Sequence, residues 1–228
     1  METRGTFHHR LDELGQDIVR LGSMVDEAIH KSVEALRTRD VELAQEVIAA
    51  DETINELRFS IEERSFALIA TQQPMASDLR SIIAAMNIAV EVERMGDHAA
   101  GIARLVGRMA DEPLLKPLID IPRMAITVRQ MLRRSLDAYL KQDIEVAQQV
   151  SAQDDEVDEF YNQIFRELVS FMIEDPSTVT RATYLLWVTH NLERIGDRVT
   201  NICERVIYMV TGQLMEFSSD RQFEDLAR

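Results

Sequence analysis

The hexapeptide Val92-Glu93-Arg94-Met95-Gly96-Asp97 returns 100 residues later as Leu192-Glu193-Arg194-Ile195-Gly196-Asp197. Four of the six positions are identical, and the other two stay apolar. The apolar positions around the hexapeptide repeat as well. Ile88, Val92, Met95, Ala99, Ile102 and Val106 recur as Val188, Leu192, Ile195, Val199, Ile202 and Val206. Steps of alternately four and three residues place such positions on one stripe of an α-helix, and an apolar stripe must be covered. A chain carrying two copies of one long amphipathic helix covers both by packing helices around them, so the duplication predicts two similar helical bundles.

The segments upstream repeat at an offset of 103. Asp51, Ile54, Asn55, Glu56 and Leu57 align with Asp154, Val157, Asp158, Glu159 and Phe160, and Ser32, Ala35, Asp40 and Ala44 align with Ser135, Ala138, Asp143 and Ala147. The offset changes near Pro74 and Pro176, between helices, where an insertion is tolerated. Each half reads as three helices: 6–36, 41–71 and 75–109, then 117–140, 144–173 and 177–211. Asp40 and Asp143 are candidate N-caps, Asp175-Pro176 is a capping acid followed by a first-turn proline, and Gly212 is a C-terminal stop. Short connections force antiparallel neighbours. The expected fold is all-α: two tandem antiparallel three-helix bundles related by internal duplication. Residues 1–112 form the first repeat, 113–212 the second, and 213–228 a polar C-terminal tail expected to fray. Pro113 and Pro117 mark the link between the halves.

Composition narrows the function classes. With 40 acidic and 25 basic side chains the formal charge is −15, the wrong sign for neutralising phosphate backbones, so no nucleic-acid partner is expected. The same excess disfavours direct adhesion to anionic lipid. Cys203 is the only cysteine, which excludes an internal disulfide and a thiolate cluster. The N-terminal stretch lacks the apolar core of a signal peptide. The longest uncharged stretches, 81–90 and 182–192, fall far short of the ~20 apolar residues that span a bilayer. A soluble protein of a reducing compartment is the expectation.

Glu93 and Asp97, and again Glu193 and Asp197, sit four residues apart, one turn along the same face. Two carboxylates so placed can hold a cation between them, and hard oxygen donors suit Mg, Mn, Fe, Ca or Zn to differing degrees. With 40 acids in 228 positions, chance alone supplies roughly seven acidic pairs at this spacing, so one pair means a solvated face. Recurrence at equivalent positions changes the weighing. So does the glycine inside each pair, because a mid-helix glycine costs roughly 1 kcal/mol and asks for a reason: close packing or access for a ligand. At 100° per residue the acids lie away from the buried stripe, which predicts exposed side chains and any metal on the surface. Asp154 and Asp158 form a further pair on the middle helix, whereas the first half has Asp51 and the neutral Asn55.

Other motifs carry less. Arg94 and Arg194 read first as ion-pairing partners and second as anion ligands. His8, His9, His30, His98 and His190 are unrepeated and read as surface or packing residues. Glu27-Ala-Ile-His30 matches one Glu-x-x-His unit of di-iron bundles, but the equivalent positions hold Gln130 and Arg133. No Walker-type loop or helical His-Glu-x-x-His motif is present.

Gln73-Pro74-Met75-Ala76-Ser77-Asp78-Leu79-Arg80, followed by Glu93-Arg94-Met95-Gly96-Asp97, resembles the PhoU family of phosphate-transport regulators. So does Leu192-Glu193-Arg194-Ile195-Gly196-Asp197 with Asn201-Ile202-Cys203-Glu204. The resemblance runs from about Phe7 to about Thr211. It implies a multinuclear metal cluster in each bundle, iron or zinc, with Mg or Mn as further options. Position by position the implied ligands are Asp51, Glu93 and Asp97, and in the second half Asp154, Asp158, Glu193 and Asp197. Asn55, Gly101 and Arg104 depart from the pattern, so tighter binding is expected in the second half.

The resemblance further implies a non-catalytic adaptor. Such a protein is a negative regulator of phosphate uptake and of the phosphate-starvation response. Its implied partners are the ATPase subunit of the phosphate ABC transporter and a sensor histidine kinase. It would be cytoplasmic, peripheral at the inner face of the membrane through those partners, and a homodimer. The competing reading is a carboxylate-bridged, metal-dependent hydrolase or oxidase, which requires a shielded pocket and a general base. No candidate base recurs beside the acid pairs.

Overall fold

The computed structural model describes residues 4–215. Helices α1 (Arg4–Thr38), α2 (Val41–Gln72) and α3 (Ala76–Met109) form the first bundle. The second holds α4 (Asp120–Lys141), α5 (Ile144–Ala152), α6 (Asp154–Glu174) and α7 (Val179–Thr211), with a 3-10 turn, Pro176–Thr178, before α7. No strand occurs among the described residues. The expected tail over 213–228 lies outside the described residues from 216 onward.

The helix ends follow the capping chemistry. Asp40 and Asp143 each accept a backbone N–H three residues on, from Leu43 and Val146, both at 3.0 Å. The preceding helices end alike. Arg39 and Gln142 are both left-handed, at φ 57 and 55, and Asp40 and Asp143 donate to Ala35 and Ala138 at 2.9 Å. Gly212, at φ 75, donates to Tyr208 at 2.8 Å and ends α7. Asp175 accepts from Ser177 but caps the 3-10 turn, so α7 starts two residues later than the sequence suggested.

Two other elements differ from expectation. The link stays irregular past Pro117, and α4 begins at Asp120 with Pro122 in its first turn, where the missing N–H costs nothing. The middle helix of the second half is divided at Gln153. There Gln153 donates to Val150 and Glu156 to Gln153, both at 3.1 Å and both three residues back, so one turn tightens to 3-10 geometry. Asp154 thereby becomes the first residue of α6, whereas its counterpart Asp51 lies inside the unbroken α2.

All twelve positions of the duplicated stripe are at most 1% exposed. Each buried Ile, Leu or Val there contributes ~1.5–3 kcal/mol of apolar burial. Helices α3 and α7 share the largest interface among the described residues, and α1 packs on α4, so these four helices make a central layer. Helix α2 lies outboard against α1 and α3, and α6 against α7 and α4. Asn201 and Arg198 contact Glu91 at 3.1 and 3.2 Å, while Asn191 contacts His98 at 3.0 Å, so α3 and α7 run antiparallel. At the 100-residue offset Glu91 corresponds to Asn191 and His98 to Arg198. The seam thus makes the same contact twice, as a two-fold interface does.

Across the other side of the layer Asp26 of α1 accepts from Arg129 Nε and Nη2, both at 3.0 Å, and from Arg133 at 2.6 Å. Burial opposes the charge on Asp26, but the two guanidinium groups outweigh it and hold its carboxyl below the usual range. Asp26→Ala should therefore cost ~2–3 kcal/mol in urea unfolding, the low side for a broken buried pair because Arg133 keeps solvent. Since the folded pKa lies below the unfolded one, this stabilisation is complete above about pH 4 and is lost as pH falls through the folded value.

Candidate functional site

The mid-helix glycines explain how the acids meet. A Cβ on Gly96 would stand 3.3 Å from two carbons of Ile54 and 3.6 Å from Asp51 Oδ1. A Cβ on Gly196 would stand 2.6 Å from Asp154 Oδ1 and 3.3 Å from Val157 Cγ1. Each glycine lets the outboard helix close onto the seam helix, and the closure lays Asp51 or Asp154 over the third helix of its own half. Close packing and the gathering of carboxylates are therefore one event.

In the first half Asp51 of α2 faces Asp97 and Glu93 of α3. The Asp51 carboxyl is pushed up by burial and by the Asp97 charge, with Arg104 opposing. Glu93 is raised by burial and Asp97, with Arg58 and Arg94 opposing. In the second half burial pushes Asp154 up to about 8, reinforced by Asp158, Asp197, Glu193 and Asp155. Burial and the Asp197 charge push Glu193 up to about 7. Asp197 is raised by burial against the pull of Arg194, Arg198, His190 and His98. All seven sequence-derived positions are thus sorted into two groups: Asp51, Glu93 and Asp97, and Asp154, Asp158, Glu193 and Asp197. Asn55 is half-buried on α2 one turn from Asp51.

The expectation of freely exposed acids needs correction. Only Asp97 is exposed; Asp51, Glu93, Asp154, Asp158, Glu193 and Asp197 are half-buried, and 13% of the Glu193 side chain meets solvent. The outboard helices cover the flank of α3 and α7 that angular position along a single helix leaves open. Asp51 Oδ1 and Glu193 Oε2 are buried and make no hydrogen bond, although His190 Nδ1 lies 3.4 Å from the latter. Among the described residues no three His, Cys, Asp or Glu side chains are already gathered as a metal cage. The donor sets are oxygen-rich and anionic, the chemistry that hard divalent cations take. Arg194 pairs with Asp197 at 2.6 Å, as the ion-pairing reading holds.

Residues that the sequence left unassigned border both groups. Arg58 lies seven residues after Asp51 and stands near Glu93; Tyr161 lies seven after Asp154 and stands near Glu193. Two helical turns from the first acid is the one signal that could have found them. His98 reaches the second-half group from α3, across the seam, which no local spacing reveals.

The PhoU domain model matches the chain twice, over residues 18–106 and 121–206. The chain belongs to the PhoU family. The Clostridium acetobutylicum phosphate-specific transport system accessory protein PhoU homolog is 40% identical over 217 residues, 95% of this chain and 99% of that protein. The Caulobacter vibrioides homolog of the same name is 41% identical, covering 95% of this chain and 94% of its own length. The crystal structure of PhoU from Pseudomonas aeruginosa superposes with a TM-score of 0.86 at 34% identity, covering 91% of this chain and 100% of that one. That of the phosphate transport system regulatory protein PhoU from Streptococcus pneumoniae gives 0.86 at 32%, covering 92% and 100%. Both PhoU-domain matches contain one glycine-centred acid pair.

Asp154 and Glu193 have folded pKa values above their unfolded ones, so their contribution is full below about pH 4 and is lost as pH rises through 7 to 8. Metal-free protein should melt at progressively lower temperature between about pH 5 and pH 8 and level off above that, and Asp154→Asn should flatten the slope. The glycines give a second test. Gly196→Ala must displace the half-buried Asp154 carboxylate and should cost ~1–2 kcal/mol in urea unfolding. Gly96→Ala, with its looser contacts and the gain in helix propensity, should fall within about 0.5 kcal/mol of the parent.

Proposed function

We propose that this chain is a phosphate-transport accessory protein that restrains phosphate uptake and the phosphate-starvation response as a non-catalytic adaptor. The names of its relatives support the accessory role. The observation that carries the adaptor reading is the recurrence of a glycine-seated carboxylate group on each bundle, with burial and then mutual repulsion raising the pKa of its members. Each group holds divalent metal ions, iron or zinc by family resemblance and Mg or Mn by donor chemistry. Asp51, Glu93 and Asp97 serve the first site; Asp154, Asp158, Glu193 and Asp197 serve the second and bind more tightly. A bound cation supplies the positive charge that these half-buried carboxylates lack. The chain's own part is to hold the oxygens on two helices, so that loading locks the outboard helix to the seam.

The partners are the transporter's ATPase subunit and the sensor histidine kinase, reached at the inner face of the membrane by a homodimer. No described helix is long and apolar enough to cross a membrane. Regulation then works by preference: the loaded face binds one conformation of its partner better than the other and shifts the population toward it. The test pairs metal analysis of chain purified without chelator with phosphate uptake by cells lacking the gene. Parent chain should carry metal and restore restrained uptake; Asp154→Asn with Glu193→Gln should lose second-site metal and most of the restraint. Full restraint by a metal-free variant would sink the metal reading. Unchanged uptake on deleting the gene would sink the regulatory one.

A further inference from the structure

The two ends of the α3–α7 seam are finished differently. Where α3 stops, the link between the bundles crosses the pole, and Leu114, Leu115 and Leu118 pack against the core. Two arginines hold the link there. Arg39 donates to the Glu112 carbonyl and Arg181 to the Pro113 carbonyl, both at 3.4 Å, and Arg181 pairs with the Glu112 carboxylate at 3.2 Å. Where α7 stops, a cleft of about 350 Å³ stands open. Leu11 and Gly15 of α1, Leu140 of α4 and Met209 of α7 form its apolar walls. Leu140 is 49% exposed.

The two-fold relation of the halves says what the open pole lacks. Gln142 and Ser81 border the cleft, and their counterparts, at offsets of 103 and 100, are Arg39 and Arg181, the residues that hold the link. Leu114 and Leu115 correspond at the 100-residue offset to Leu214 and Met215, which leave α7 70% and 43% exposed. Glu112 corresponds to Gly212. Arg80 lies against Gly212, 3.6 Å from where a Cβ would stand, and its Nε is buried without a hydrogen bond. The poles differ at α1, which extends beyond Asp17, the counterpart of the first residue of α4. Its turn at Leu11 and Gly15 therefore adds an outer wall, and the space between that wall and α4 is the cleft.

We propose that the segment following α7 is a strap for this pole: Leu214, Met215 and Phe217 turn back into the cleft between α1 and α4, and Glu216 meets Arg80. The first bundle closes its own pole in this way, with the chain that follows its last helix and with an arginine on a glutamate of that chain. The reach is short. Met209 lines the cleft, α7 ends at Thr211, and each further residue adds about 3.3 Å, enough for Phe217 to return to Met209. Apolar burial in the cleft is offset by the ordering of the segment, so closure is reversible. The cleft shares no residue with either acid group, so the strap goes beyond the adaptor reading and stands or falls apart from it.

Cys203 is buried, so a thiol placed at the cleft reports alone. Gln16→Cys puts one on the exposed rim of α1 and leaves the apolar walls intact. Maleimide labelling of this full-length chain should run roughly fivefold to twentyfold slower than when Leu214→Asp and Phe217→Asp are added. Arg80→Glu should speed labelling partway, and Arg80→Glu with Glu216→Arg should restore protection. Ser170→Cys, exposed on α6, should label alike with or without the two aspartates. Far-ultraviolet circular dichroism checks the fold of each variant. Gln16→Cys with Phe217→Cys, oxidised at low protein concentration, then identifies the occupant. A disulfide within one chain, of monomer mass on a non-reducing gel, is the expected product. A disulfide of dimer mass gives the cleft to a second copy and overturns the proposal. So does the absence of any disulfide, or a labelling rate that the aspartates leave unchanged.

Discussion

The antiparallel seam between α3 and α7 fixes everything else in this molecule. The twelve stripe positions of these two helices vanish from solvent, and their burial sets the rotation of both helices about their axes. Once the stripes face inward, Glu93 comes near Arg58 and Asp51 of α2, and Glu193 near Asp158 of α6. The seam is polar at its margin. Glu91 reaches Arg198 and Asn201 at one place, and Asn191 reaches His98 at the pseudo-equivalent one. These contacts fix the register of two long apolar stripes that packing alone would allow to slide.

The carboxylates are then a consequence of how closely a third helix approaches. Glycine at 196 leaves room for Asp154 where a Cβ would stand, and glycine at 96 lets Ile54 of α2 pack close with Asp51 beside it. Gathering anions in a half-buried groove is unfavourable, and the raised pKa values of Asp51, Glu93, Asp154, Glu193 and Asp197 record it. The apolar seam supplies the stability that tolerates this strain. Because the acids sit on different helices, their charge state bears on helix packing.

Duplication made the halves alike, and divergence gave them separate surfaces. The first half has Arg58, paired with Glu62, near Glu93 and keeps α2 unbroken; the second has Tyr161 and Phe165 at the corresponding positions and breaks its middle helix beside Asp154. Four acids rather than three crowd the second group, and burial together with those neighbouring charges pushes Asp154 up to about 8.

Much of this was legible from the chain alone. Stripe spacing and the returning hexapeptide specify long helices and two bundles, because α-helical periodicity is a local property of the backbone. Asp40, Asp143 and Gly212 mark helix ends for the same reason: a cap acts within three or four residues. The pairing of Glu93 with Asp97 and of Glu193 with Asp197 is likewise within one turn. Tertiary structure decided what lies between helices. That Asp51 joins the first pair and Asp154 the second, that His98 crosses to the other half's group, and that the acids are half-buried all depend on interhelical approach and rotation. Those quantities are set by side chains far apart in the chain, so periodicity carries no record of them.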